Sequence, residues 1–172
     1  MPELNVEPVA SYLREGQWTL DPARSEAAVN VRNLGVKMVR GTVPVRAAQV
    51  IVGPIGQFLS VHAELDLAAI ATAKAKRDKD LAKPALLDLR THPTMVFDGT
   101  GAGDRVSGRL AVRGVEIPLE LKVAVVDPSG DTVEARVTTG FDRGPLGMKV
   151  PKFMIGGWFD ISVTAVFTRV SG

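Results

Sequence analysis

Residues 105–126 constrain the fold of this chain more than any other stretch. Apolar and polar residues alternate there on both sides of a short turn at Arg113-Gly114-Val115. Successive side chains of a β-strand point to opposite faces, so the alternation separates apolar from charged residues. The pattern predicts an antiparallel hairpin with one buried face, which carries Val106, Gly108, Leu110, Val112, Ile117, Leu119, Leu121, Val123 and Val125.

The same period of two recurs along most of the chain. The sequence predicts an all-β fold of about eight antiparallel strands, which closes as a barrel or packs as a sandwich. Besides the hairpin, the predicted strands are an opening strand that starts at Trp18 and the segments 26–32, 41–52, 58–66, 94–99, 131–141 and 157–169.

Three segments depart from the strand pattern. Residues 73–90 have a helical period, and Pro84 is expected to split them into two short helices. Residues 33–40 are expected to form one helical turn, and residues 8–15 a short helix or a loosely packed arm. The expected division is therefore an N-terminal arm or short helix followed by one domain, over residues 1–16 and 17–170.

The composition disfavours several classes of protein. With 172 residues, 45% of them hydrophobic, and a net charge of +2, the chain is typical of one globular domain and lacks a nucleic-acid-binding patch. It has no cysteine, which excludes disulfides and thiolate metal sites. No stretch approaches the roughly 20 apolar residues of a membrane span. The first residues lack the apolar segment of a secretory signal, so a cytoplasmic location is expected.

The residues expected inside a barrel are small or medium in size. Aromatic residues make up only 5% of the chain, and an eight-stranded barrel is just wide enough to be filled by side chains or to hold one small ligand. Two outcomes are open: an apolar cavity for a long hydrophobic ligand, or a barrel filled by its own side chains. If a cavity is present, the residues expected to line it are Val29, Val31, Leu59, Val61, Leu65, Leu110, Leu119, Leu121, Ala135, Val137, Ile161 and Val163.

Groups suited to catalysis or metal binding are sparse. The chain has two histidines and no nucleophile or phosphate-loop motif. His62 falls on the polar face of its strand and is expected at the surface, while His92 precedes a proline and is expected in a turn. The sequence predicts no catalytic residue, no metal site and no cofactor other than a bound lipid.

Three charged residues are candidates for contact with a ligand headgroup. Arg77 and Asp78 lie in the helical segment, where the mouth of a barrel is expected, and Arg143 lies in the loop after the strand at 131–141. A guanidinium binds phosphate or carboxylate through paired hydrogen bonds. The alternative is structural: Arg77 pairs with a carboxylate, Asp78 supports its helix, and Arg143 belongs to a solvated basic loop.

An ordered set of short motifs resembles the YceI family, whose members have a lipocalin-like antiparallel barrel. The resemblance covers about residues 17–170 and implies an eight-stranded barrel with a short helical insert near residues 73–90. The motifs are WTLDPARS at 18–25, VRNLG at 31–35, VRG at 39–41, AT at 71–72 with Arg77-Asp78 and Leu81, HP at 92–93, VF at 96–97, GRL at 108–110, RGV at 113–115, PL at 118–119, and FDR at 141–143 with Gly147.

The resemblance also implies a function and shows departures from the family pattern. It implies binding of a long isoprenoid, such as a polyprenyl pyrophosphate or an isoprenoid quinone, inside the barrel. Asn33 and Asp80 stand where the family usually has histidines. Leu86 and Leu87 stand where it usually has paired aromatics, and they join the expected apolar lining.

The sequence therefore leaves three functions for comparison with the structure. The first is binding, transport or sequestration of an isoprenoid-type lipid, a hydrophobic small molecule. The second is an enzyme that acts on a lipid-like substrate with Asp78, Asp80 or His92 as acid or base. The third is a ligand-free stress-response scaffold. A homodimer is also expected, since an open edge at the Pro44 strand needs cover.

Overall fold

Antiparallel strands make up most of the fold. The computed structural model describes residues 13–33, 37–72, 74–84, 86–149 and 157–170, with the backbone alone for residues 32, 33 and 37–39. The described residues form ten strands and one α-helix. The strands are β1 (Gly16–Leu20), β2 (Glu26–Asn33), β3 (Lys37–Val43), β4 (Val45–Val52), β5 (Phe58–Asp66), β6 (Thr94–Ala102), β7 (Arg105–Val112), β8 (Val115–Val126), β9 (Thr132–Asp142) and β10 (Trp158–Val170), and the helix is α1 (Ala75–Leu81).

Eight of these strands close into a barrel. Their order is β1-β4-β5-β6-β7-β8-β9-β10, and β1 pairs with β10 as well as with β4. The other two strands extend the sheet, because β2 pairs with the first half of β10 and β3 pairs with β2. The eight-stranded antiparallel barrel with a short helical insert is therefore confirmed, and the sandwich alternative is wrong.

A kink at residues 21–25 lets one edge of β10 pair first with β2 and then with β1. The amide of Asp21 donates to the carbonyl of Val166 at 2.8 Å. The Ser25 hydroxyl accepts from the amide of Val166 at 3.0 Å and donates to the carbonyl of Asp21 at 2.8 Å. Backbone groups at the kink thus keep hydrogen-bond partners although the strand is interrupted.

The sequence of the kink explains its shape. Pro22 begins a single 3-10 turn over Pro22–Arg24, and the Asp21 carboxylate accepts a hydrogen bond from the amide of Ala23 at 3.1 Å. Arg24 donates to the other Asp21 oxygen at 2.8 Å and thereby lowers the pKa of Asp21. The Asp-Pro-x-Arg-Ser sequence therefore builds the kink from local contacts.

Several predicted elements need correction. Residues 37–43 form β3 rather than a helical turn, since pairing with β2 outweighs their weak helical pattern. The insert contains one helix rather than two. After α1 the chain forms hydrogen-bonded turns in which Leu87 and Leu89 are both buried. A second helix would not place residues two positions apart on the same face. β6 continues through its glycines to Ala102. The helix predicted at 8–15 lies mostly outside the described residues, and residues 13–15 are not helical.

The barrel has two ends with different covers. At the upper end lie the β7–β8 turn, the loop that follows β9, and the insert, defined here as residues 74–84 and 86–92. At the lower end lie the β4–β5, β6–β7 and β8–β9 turns and the start of β1. Trp18 is fully buried near that end, and its indole N–H donates to the carbonyl of Arg14 at 2.9 Å.

Replacement of Ser25 tests the role of the kink. Ser25→Ala leaves the amide of Val166 without its side-chain acceptor, and an unsatisfied partly buried group typically costs about 1–3 kcal/mol. We expect urea denaturation to show a loss of unfolding free energy in this range. Ser107→Ala is the matched control, because Ser107 is exposed and its hydroxyl makes no hydrogen bond within the described residues. Equal stability of the two variants would contradict the assignment.

Candidate functional site

Three apolar cavities follow one another along the barrel axis. The upper, middle and lower cavities have volumes of about 30, 110 and 70 Å³. Met95 and Ile161 border both the upper and the middle cavity. The middle and lower cavities share the side chains of Val61, Leu121, Val137 and Phe167. The barrel interior is therefore a row of hydrocarbon-lined spaces separated by a few side chains.

The middle cavity exists because small residues occupy inward positions at its height. Ala48, Ala63 and Ala165 each leave space that a larger side chain would fill. Thr139 is the one polar side chain in its lining, and its hydroxyl donates to the carbonyl of Glu120 at 2.7 Å, so it has a partner. The remaining lining residues are Leu20, Val45, Val61, Leu65, Met95, Phe97, Leu110, Leu119, Leu121, Val137, Ile161, Val163 and Phe167.

Aromatic side chains close both ends of the row. The rings of Phe141 and Phe159 line the upper cavity and meet edge to face, with centroids 5.4 Å apart. Trp18 and Phe58 line the lower cavity. These rings border the two smaller cavities, and the largest of the three lies in the middle of the barrel.

Most residues predicted to line a cavity do so. Val31 and Leu86 pack against the core without bordering the three cavities. Those that border a cavity are Val29, Val61, Leu65, Leu87, Leu110, Leu119, Leu121, Ala135, Val137, Ile161 and Val163.

Leu59 was predicted in the lining and lies outside the barrel. Its side chain is 51% exposed. Along β4, Ile51 pairs with Ser60 and the next residue, Val52, pairs with Phe58, so Leu59 is the extra residue of a β-bulge. A bulge shifts the in–out alternation by one position, which buries Phe58 and turns Leu59 outward.

Aromatic side chains contribute more to the barrel interior than their low number in the sequence predicts. A low aromatic content favoured free space, yet Trp18, Phe58, Phe97, Phe141, Phe159 and Phe167 all lie in or against the core. The alternation along each strand predicts these inward positions, because Phe97 shares a face with Met95 and Trp18 shares one with Leu20. Aromatic residues are thus few but concentrated inside, and the cavities are small.

The candidate headgroup residues differ in their surroundings. Asp78 accepts hydrogen bonds from the amide and the hydroxyl of Thr72, at 3.0 and 2.6 Å, and so holds α1 against the preceding segment. Arg77 is half-buried, and its guanidinium makes no hydrogen bond or ion pair within the described residues. Arg143 is only 3% exposed, so it does not belong to a solvated loop. Only Arg77 among the three is both accessible and without a partner in that part of the chain.

The candidate acid–base residues of the enzyme alternative do not converge. Asp80 pairs with Lys83 at 3.0 Å, and this hydrogen bond lowers the pKa of Asp80. The His92 ring lies against Gly114, and the amide of His92 donates to the carbonyl of Asp88 at 2.9 Å, which closes the last turn of the insert. No three His, Cys, Asp or Glu side chains come together as a metal site in the part of the chain that the structure describes.

His62 lies on the outer face of β5 between two carboxylates. Its Nε2 is 2.9 Å from Glu64 Oε2, and its Nδ1 is 2.6 Å from Asp98 Oδ1. Hydrogen bonds to Glu64 and Asp98 raise the pKa of His62, and His62 and Arg46 lower the pKa of Glu64. The surface position predicted for His62 is correct, and the cluster Arg46-Glu64-His62-Asp98 stabilises the outside of the sheet rather than lining the cavities.

This cluster predicts a pH-dependent contribution to stability. The raised pKa means that the folded protein favours protonated His62, so the contribution is present at low pH and is lost as the pH rises through the raised value. His62→Gln should lower the unfolding free energy more at about pH 5 than at about pH 9. The difference should stay below about 1 kcal/mol because the side chain is 38% exposed and its interactions are screened by solvent.

Urea denaturation at both pH values measures the effect of His62→Gln. The matched control is the double variant Glu64→Gln with Asp98→Asn, which keeps the imidazole and replaces both carboxylates by neutral amides. It should show a reduced pH dependence of the same sign. A loss that is larger at high pH would contradict the assigned direction.

The described part of the chain contains no helix that is long and apolar enough to cross a membrane.

No protein with a curated description matches the sequence significantly. Among solved structures, the fold is similar to BcnA of Burkholderia cenocepacia, with 18% identity over 86% of this chain and 98% of that one and a TM-score of 0.71.

Two further structures have the same fold. A polyisoprenoid-binding domain of Saccharophagus degradans, described as implicated in plant cell wall breakdown, shares 11% identity over 89% of this chain and 98% of that one, with a TM-score of 0.72. A YceI protein of Campylobacter jejuni shares 15% identity over 82% and 90% of the two chains, with a TM-score of 0.62. The family model described as the YceI-like domain matches residues 18–167, so this chain belongs to the YceI-like family.

Proposed function

We propose that this protein binds a long isoprenoid-type lipid inside the barrel, with the tail along the three cavities. The observation that carries the proposal is the axial row of hydrocarbon-lined spaces, in which the middle lining has a single, already bonded hydroxyl. Such a space excludes water and favours an apolar ligand. Membership of the YceI-like family, and the likeness to a structure described as a polyisoprenoid-binding domain, support the same class of ligand.

The cavity volumes set a condition on this binding. The largest of the three cavities is about 110 Å³, whereas ligand pockets typically measure about 300–1,000 Å³. A long tail therefore requires the side chains between the cavities to move apart. Met95 separates the upper and middle spaces and, as an unbranched thioether, adapts readily to a new neighbour. The small volume also favours the scaffold alternative, in which the barrel is filled by its own side chains.

We place the headgroup at the upper end of the barrel, near Arg77. This residue is half-buried on α1, and its five N–H donors have no partner within the described residues. A guanidinium with free donors suits a pyrophosphate, which offers several anionic oxygens. Asp78 is already bonded to Thr72, so it positions α1 in this proposal and does not contact the ligand.

A filling substitution tests the position of the tail. Val163→Phe places a larger side chain in the middle cavity and should reduce lipid binding at least tenfold, since the ring takes the space that the tail needs. Ser162→Phe is the matched control, because the adjacent residue is exposed on the other face of β10. Native mass spectrometry measures the bound fraction with two added lipids. Solanesyl pyrophosphate represents the polyprenyl pyrophosphates, and ubiquinone represents the isoprenoid quinones.

The same instrument tests whether the purified protein carries a lipid. Organic extraction followed by mass analysis should release a species with isoprene spacing. If neither added lipid binds and nothing is extracted, the lipid-binding proposal is wrong and the result favours the scaffold alternative. Equal binding by Val163→Phe and Ser162→Phe would instead exclude the middle cavity as the tail site.

Substitution of Arg77 tests the headgroup position. Arg77→Ala should weaken binding of the pyrophosphate lipid by about tenfold, because hydrogen bonds to charged groups contribute roughly 1.5–3 kcal/mol. Binding of the neutral quinone should change little. Lys79→Ala is the control, since this neighbouring cation is exposed and lies on the same short helix. Equal losses for both lipids would remove Arg77 from the headgroup site.

A further inference from the structure

We infer that Arg113 is a latch that holds the insert closed over the upper end of the barrel, and that its release gives a ligand access to the cavities. The access step rests on the proposed function, whereas the latch itself does not. The side chain of Arg113 joins two separate segments of the upper end.

The Arg113 guanidinium donates hydrogen bonds to three backbone carbonyls. Two of them belong to the insert, those of Pro84 and Leu86, each at 2.5 Å. The third is the carbonyl of Leu146, at 2.8 Å, in the loop that follows β9. One planar group with five donors in a fixed geometry thus ties the insert to the neighbouring loop across the top of the barrel.

These bonds hold the far side of the insert. Its near side is anchored through Asp78, which bonds Thr72, and Thr72 follows Ala71, which pairs with Thr42 of β3. Residues 81–84 and 86–92 otherwise bond only to one another and to α1, as from the amide of Leu87 to the carbonyl of Leu81 and from the amide of Ala82 to the carbonyl of Asp78. Among the described residues, no other hydrogen bond joins that part of the insert to the strands or to the loop after β9.

The backbone of Arg113 is held in a conformation that is unfavourable for arginine. Arg113 and Gly114 have φ values of 53° and 74°, as in a type I′ turn between β7 and β8. Glycine and asparagine suit the first of these positions far better than a long side chain does. The turn directs this side chain at the insert, so a strained residue coincides with the three bonds.

Apolar packing beneath the latch connects it to the cavities. Leu87 is 5% exposed and lines the upper cavity together with Val112 and Phe141. Leu146, whose carbonyl Arg113 binds, is almost fully buried. Movement of the insert away from Arg113 would therefore open the upper cavity, which adjoins the middle one through Met95 and Ile161.

Hydrogen exchange tests the latch without any ligand. In Arg113→Ala, amides within 81–84 and 86–92 should exchange about tenfold faster than in the unmodified protein, because local opening of the insert no longer has to break the bonds to Pro84 and Leu86. Amides of β5 and β9 should keep their rates. Arg113→Lys should behave almost like Arg113→Ala, since one ammonium cannot reach three carbonyls as a fork does.

Arg109→Ala is the matched control, because Arg109 lies on β7, the strand that leads to Arg113, is exposed and makes no side-chain hydrogen bond within the described residues. If Arg113→Ala leaves exchange of 81–92 unchanged, the latch is wrong. If exchange rises equally across all strands, Arg113 supports the whole fold, and the latch is again wrong.

Stopped-flow fluorescence with the apolar probe N-phenyl-1-naphthylamine tests access. Arg113→Ala should raise the association and the dissociation rate of the probe by a similar factor of about tenfold, which leaves their ratio unchanged, as expected for a barrier rather than a binding contact. A changed ratio with unchanged association rate would overturn the role in access. Faster exchange of 81–92 in a protein that binds neither probe nor lipid would support the latch and contradict the proposed function.

Discussion

The fold depends on the closure of one hydrogen-bonded ladder through β1. This strand of five residues pairs with β4 on one side and with the last residues of β10 on the other. Closure removes the edges that β4 and β10 would otherwise expose along β1. Val166 lies where the neighbour of β10 changes from β2 to β1. The kink at Asp21–Ser25 gives the amide and the carbonyl of Val166 their hydrogen-bond partners, so closure through β1 is compatible with the additional pair β2–β3.

Closure also determines the free volume inside. Eight strands give a nearly fixed interior width, so the size of each inward side chain decides whether space remains. Alanines at 48, 63 and 165 leave the middle cavity, and the Phe141–Phe159 pair above and Trp18 below fill the ends. The same ladder therefore explains both the apolar lining and its division into three small spaces.

The parts of this structure that follow from local alternation could be predicted, and those set by contacts between distant segments could not. The 105–126 hairpin and the inward positions of Leu110, Leu119 and Ile161 follow from a period of two. The outward turn of Leu59 follows from a bulge that only pairing with β4 reveals. The contacts of Arg113 lie with carbonyls about 30 residues away, and carbonyls carry no signal in a sequence.

The distribution of polar contacts over the barrel separates a stable wall from a removable cover. The wall has continuous strand pairing and outer clusters such as His62 with Glu64 and Asp98. Among the described residues the insert has few bonds to that wall, and Arg113 makes two of them, to the carbonyls of Pro84 and Leu86, from a side chain that also binds the carbonyl of Leu146. Few bonds held by one group can be broken together, so the upper end can open while the strand ladder stays intact. A barrel whose cavities are too small for a long ligand would need an opening of this kind before its interior side chains can move apart.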